Sequence, residues 1–97
     1  MPDAQIVKML KAIADTNRLS ILEMIGDKEV CSCKLLERLQ ISQPTLSHHL
    51  RILSESGLIN GRKDAQWIHY SINQDKLAAL KAYMAEAFIS NPIINIA

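Results

Sequence analysis

Apolar residues in this chain recur at helical spacing through its first half, switch to strand spacing, and return to helical spacing near the end. Ile6, Leu10 and Ile13 form one stripe with Val7 and Met9 beside it, which predicts an amphipathic helix over residues 2–14. Leu19, Leu22 and Ile25, widened by Ile21 and Met24, predict a second helix, capped by Asp15 or Thr16 and ended at Gly26-Asp27. A turn through Lys28-Glu29-Val30 leads to a short third helix that begins near Cys31 and carries Leu35, Leu36 and Leu39. Leu46, Leu50 and Leu53, at i, i+4 and i+7, define a fourth. Ser42 is placed to cap it, Pro44 suits its first turn, and Gly57 supplies a left-handed stop.

After Gly57 the period is two. Residues 58–63 and 66–72 read as two strands joined near Asp64-Ala65, with Ile68, Tyr70 and Ile72 on the core face and Trp67, His69 and Ser71 on the other. Asn73 or Asp75 then caps a last helix in which Leu77, Leu80, Met84 and Ala87 align. The tail over residues 90–97 holds Pro92 and four apolar residues and is assigned no element; packing on a partner and disorder both stay open for it. The brief link Gln40-Ile41-Ser42-Gln43 joins helices three and four as a helix-turn-helix, and the hairpin behind it is a wing. The expected fold is mainly α with a small β-hairpin, a winged helix-turn-helix in the order αααα-ββ-α, forming a single domain over residues 1–97.

The fourth helix sets the functional expectation. Opposite its leucine stripe lie Pro44, Ser47, His48 and Arg51, a short neutral-to-basic set of donors suited to base edges and phosphates in a major groove. Net charge is only +1, so any nucleic-acid binding has to come from local placement, chiefly Arg51, Arg62 and Lys63, which a symmetric dimer presents twice. With 48% hydrophobic and 22% charged residues the chain has the composition of a globular protein, and its small core would gain from pairing with a second copy. No apolar run reaches the roughly 18 residues of a membrane span and the polar start lacks a leader pattern, so a cytoplasmic location is expected. No nucleophile, base and orienting residue gather in a catalytic motif, and an enzyme is not expected. Cys31 and Cys33 are the only cysteines, and a two-residue separation closes too small a loop for comfortable disulfide geometry, so free thiols are expected.

The stretches 14–22, 29–35, 42–50 and 57–70 together resemble the ArsR/SmtB family of winged-helix metalloregulatory repressors, a likeness that covers roughly residues 5–88. The resemblance implies a homodimer built from the first and last helices, recognition helices in successive major grooves of double-stranded DNA, and release when an inducer binds. It also implies DNA contacts from Gln43, Ser47 and His48; Thr45 and Arg51 are added on helix geometry, and Arg62 and Lys63 on the wing as phosphate contacts. A two-fold pair of such helices calls for an inverted-repeat operator with half-sites about 34–36 Å apart. Ala65 stands where the family's wing often has Gly. His48 and His49, being adjacent, point apart and do not share a metal.

Cys31 and Cys33 resemble the Cys-x-Cys of the family's arsenic-sensing branch, which implies no constitutive cofactor and an inducer such as As(III), Sb(III) or an organoarsenical. Two residues apart on a regular helix, their side chains would diverge by about 200°, so both hold one ion only where the turn is unwound or not yet helical. Leu36 occupies the position of the branch's third Cys, which leaves the third ligand to water, hydroxide or an outside thiol unless the inducer is a monosubstituted arsenical. Cd(II) or Pb(II), and a redox or electrophile signal through the same cysteines, are the alternatives; the Cd/Pb branch draws further Cys from an N-terminal extension, and none precedes Cys31 here. The last helix lacks the His and carboxylates of a Zn, Ni or Co site, with only Glu86 between Lys76 and Phe88. A reading from another class, a protein-interaction or RNA-binding module, would be excluded by strongly salt-dependent, duplex-selective DNA binding.

Overall fold

The computed structural model describes residues 3–89 and contains five helices and a three-stranded antiparallel sheet. The helices are α1 (Ala4–Ile13), α2 (Thr16–Ile25), α3 (Ser32–Leu39), α4 (Gln43–Glu55) and α5 (Gln74–Ala87). The strands are β1 (Glu29–Cys31), β2 (Ile59–Asp64) and β3 (Trp67–Ile72), in the spatial order β1-β3-β2. The tail over residues 90–97 lies outside the described residues.

Helix starts are chemically specified. Asp3, Asp15, Ser42 and Asn73 each precede a helix in extended conformation and accept the backbone N–H three residues on, from Ile6, Arg18, Thr45 and Lys76. A cap of this kind contributes about 1 kcal/mol. The first helix therefore starts after Asp3, later than its apolar pattern alone indicated. Gly57, at φ 89°, turns the chain out of α4 where a side chain would be strained and would also strike the Gln5 amide at 2.8 Å. Beside it the buried Ser56 hydroxyl donates to the Leu53 carbonyl and accepts the Leu58 N–H, so the bend is internally satisfied.

The core lies where α1, α2, α3 and α4 meet the base of the sheet, around Met9, Ile21, Ile25, Leu35, Leu53 and Leu58. Leu80 of α5 closes it from the far side. The strand β1 was not anticipated. It is three residues long, too short for alternation to register, and exists because Glu29, Val30 and Cys31 pair with Ser71, Tyr70 and His69 of β3.

The wing pairs from Ile59↔Ile72 to Asp64↔Trp67, leaving Ala65-Gln66 as a two-residue turn. Ile68, assigned to the core on alternation, is exposed instead: the hairpin projects past the helices, and Ile68 and Tyr70 lie over Gly61, which has no side chain to cover them. Ala65 adopts φ 57°, a left-handed conformation that costs a non-glycine residue about 1–2 kcal/mol. Ala65→Gly is expected to raise stability by about 0.5–1 kcal/mol after its greater unfolded-state entropy is counted. Urea unfolding of the two proteins checks this, and an unchanged midpoint would show the turn to be unstrained.

Candidate nucleic-acid interface and thiol pair

Helix α4 buries Leu46, His49, Leu50 and Leu53 and leaves its other faces open. Gln43, Ser47, Arg51 and Ser54 border a cleft of about 290 Å³ whose opposite wall is Trp67, Ile68 and Tyr70 of β3. Pro44 and His48 continue this exposed surface around the helix. Gln43, Ser47, His48 and Arg51 are thereby brought to one contiguous polar surface between recognition helix and wing. Thr45 is set apart, about 200° around the helix from Gln43. Its hydroxyl accepts a hydrogen bond from the Ser42 hydroxyl at 2.8 Å, which holds it at the cap.

His49, which the sequence sets apart from His48 only by direction, is 8% exposed. It lies between Leu46 and Leu53 at i+3 and i−4, and that spacing was the available signal. Its Nδ1 sits 3.1 Å from an Arg18 Nη. A guanidinium only donates, so Nδ1 is the acceptor and the ring proton resides on Nε2. Arg18 also donates through Nε to the Ala12 carbonyl at 2.5 Å, and Asp15 Oδ2 lies 3.9 Å from the same imidazole nitrogen. Arg18 thus links the end of α1 and the start of α2 to the underside of the recognition helix.

On the wing, Arg62 is engaged by Glu29, whose carboxylate accepts from Nη2 at 2.6 Å and from Nε at 3.0 Å. The sequence placed Arg62 as a free phosphate contact; β1, unseen in the sequence, positions a carboxylate across β3 to take it. Lys63 is exposed and forms no salt bridge among the described residues.

The Arg62 hydrogen bond holds the Glu29 carboxyl below its usual range, and the Arg18 N–H does the same for Asp15, with added attraction from the Arg18 guanidinium. Groups whose pKa is depressed on folding stabilise the native state above their unfolded values, and that stabilisation is lost as pH falls through the lowered ones. Stability is expected to decline below about pH 4, and an Asp15→Asn, Glu29→Gln variant should show a shallower decline in urea midpoint against pH. Parallel profiles for the two proteins would contradict it.

Cys31 ends β1 in extended conformation (φ −66°, ψ 140°) and caps α3, while Cys33 lies in that helix's first turn. The 200° divergence of a regular helix therefore does not apply. Their Cα atoms are 5.2 Å apart, and the two sulfurs are joined as a disulfide. The expectation of free thiols is corrected accordingly: the extended residue swings Sγ of Cys31 back over the helix start, where it also accepts the Cys33 N–H at 3.3 Å. Among the described residues no group of three His, Cys, Asp or Glu side chains is gathered to hold a metal ion. No described helix is long and apolar enough to cross a membrane.

A helix-turn-helix with an open polar recognition face, followed by a hairpin wing, defines the class of winged-helix DNA-binding transcription regulators. Residues 15–61 match the family described as "Bacterial regulatory protein, arsR family". The chain is 42% identical over 69 residues to an arsenical resistance operon repressor of Staphylococcus aureus, covering 71% of this chain and 66% of that one. It is 42% identical over 77 residues to the transcriptional activator HlyU of Vibrio cholerae, covering 79% of this chain and 71% of the relative. The solved structure of reduced HlyU from Vibrio cholerae superposes with a TM-score of 0.71 at 37% identity, over 89% of this chain and 92% of that one. The chain belongs to the arsR family of bacterial regulatory proteins, a family of DNA-binding regulators and not of enzymes.

Proposed function

We propose that this protein is a homodimeric, cytoplasmic transcriptional repressor that occupies an inverted-repeat operator and leaves it when a trivalent arsenical binds Cys31 and Cys33. The observation that carries the reading is the convergence of two sulfurs at the residue pair that starts α3, the helix leading directly into the recognition turn. In the reduced state such a pair suits a thiophilic ion. Leu36 stands at the third position, so one further ligand comes from solvent, an outside thiol or an organic substituent. A bound arsenical would supply a rigid bridge between the sulfurs. Cys31 and Cys33 would hold it, and the start of α3 would take up the adjustment. The arsenical-resistance repressor among the relatives supports this inducer class.

Gln43, Ser47, His48 and Arg51 would face the major groove, with Thr45 at the helix start and Lys63 on the wing meeting phosphates; Arg62 would reach a phosphate only by leaving Glu29. Exposed Val7 on α1 and Phe88 just past α5 offer apolar surface for a second copy.

A second reading, redox sensing through the same pair, is favoured by the disulfide itself and by the solved reduced form of a relative. The two readings exclude each other in time, because an oxidised pair has no thiolates to give. Fluorescence anisotropy on a labelled duplex from the protein's own upstream region separates them. Under reducing conditions, arsenite or phenylarsenite is expected to release the parent protein but not Cys31→Ser. Release by peroxide with no response to arsenicals would transfer the function to the redox reading, and response to Cd(II) or Pb(II) alone to those metals. In the same assay Gln43→Ala should weaken cognate binding by about 1–3 kcal/mol and leave scrambled DNA unchanged.

A further inference from the structure

The two halves of the thiol pair open onto different hollows. Cys33 borders the cleft shared with Gln43, Ser47 and Arg51 of the recognition helix. Cys31 borders a second hollow, about 560 Å³, between the end of α2, β1 and α3. That volume is in the range of roughly 300–1,000 Å³ that admits small organic molecules. Its rim carries the cations Lys28, Lys34 and Arg38, the last two one turn apart on the same face of α3. Glu29 is the one acid on its wall, and that carboxylate is already held by Arg62. His69 lies directly across the sheet from Cys31 and closes one side, while Met24 and Val30 give apolar surface. A half-buried cysteine on the wall of a hollow with three cations at its rim suits an anionic partner.

We propose that this hollow docks the disulfide of an anionic low-molecular-weight thiol, and that Cys31 is the exchanging sulfur and Cys33 the resolving one. The Cys31 thiolate attacks one sulfur of the bound disulfide, forming a mixed disulfide and releasing one equivalent of small thiolate. The Cys33 thiolate then attacks Cys31 Sγ, forming the intramolecular bond seen in the structure and releasing the second equivalent. Two electrons pass from the protein dithiol to the small disulfide, and no other oxidant is required. The reverse path, entered by the small thiol from the same hollow, restores the dithiol. The proposal shares its cysteines with the arsenical reading, but its readout involves neither DNA nor arsenic, so each can fail alone.

The test is intact-mass spectrometry of the reduced protein mixed with oxidised glutathione, an anionic probe, or with hydroxyethyl disulfide, a neutral one. Cys33→Ser is expected to accumulate a glutathione adduct at Cys31, whereas Cys31→Ser should react at Cys33 far more slowly. Reversing the exposed rim charges with Lys34→Glu and Arg38→Glu should slow adduct formation by glutathione disulfide about tenfold and leave the neutral probe unaffected, which also verifies that the variant is folded. Equal slowing of both probes, no slowing of either, or an adduct that forms as fast on Cys33 as on Cys31 would overturn the proposal.

Discussion

Arg18→Ala is expected to lower unfolding free energy by about 2–4 kcal/mol, although the residue lies outside the recognition helix. Its guanidinium satisfies the Ala12 carbonyl and the Nδ1 of His49 at once. Removing it strands two partly buried acceptors, and the loss on each is the desolvation cost and not merely the value of a bond. Arg18→Lys should recover little, because an ammonium cannot span the two acceptors as a fork does. Urea unfolding at fixed protomer concentration measures the effect, and a double-mutant cycle with His49→Ala should return a coupling of about 1–2 kcal/mol. A loss for Arg18→Ala below about 0.5 kcal/mol, the range of ordinary surface changes, would show that water replaces the guanidinium without penalty.

Leu53→Ala should cost about 2–5 kcal/mol, the largest single loss expected from the recognition helix. Leu53 has no exposed surface and sits beneath the helix that carries Gln43 and Ser47, so its truncation leaves a cavity between that helix and the core. At roughly 4–8 °C per kcal/mol for a domain of this size, the melting temperature should fall by at least about 8 °C. Ser47→Ala, exposed on the same helix, serves as the contrast: stability is expected to hold while operator affinity falls. Comparable thermal shifts from the two changes would mean that the helix is not anchored through its leucines.

The elements that were legible in the sequence are those whose apolar side chains repeat over about two helical turns or over a strand of six residues. Leu46, Leu50 and Leu53 with Ser42, Pro44 and Gly57 located α4 almost to the residue, and the hairpin followed from period two. What escaped depended on partners distant in the chain. The strand β1 exists through pairing with residues some forty positions later, and it in turn brings Glu29 to Arg62. His49 was hidden by chemistry: an imidazole at a core position is polar to the eye, and only Arg18, 31 residues earlier, makes its burial affordable. The thiol pair was misjudged because a two-residue loop was held too small to close, and the extended backbone that brings Cys31 Sγ over Cys33 is set by pairing with β3, far along the chain.

That position gives the molecule its mechanical economy. Cys31 is the last rung of a ladder whose middle strand is the wing's inner edge and, at the same time, the cap from which α3 and the turn to α4 depart. The hairpin and α4, the two arms that would straddle a duplex in the proposed complex, therefore share a vertex. Under the proposed function, a bond made or broken at that vertex would act on both arms from outside the hydrophobic core, so the signal would not need to loosen the fold in order to be felt at the groove.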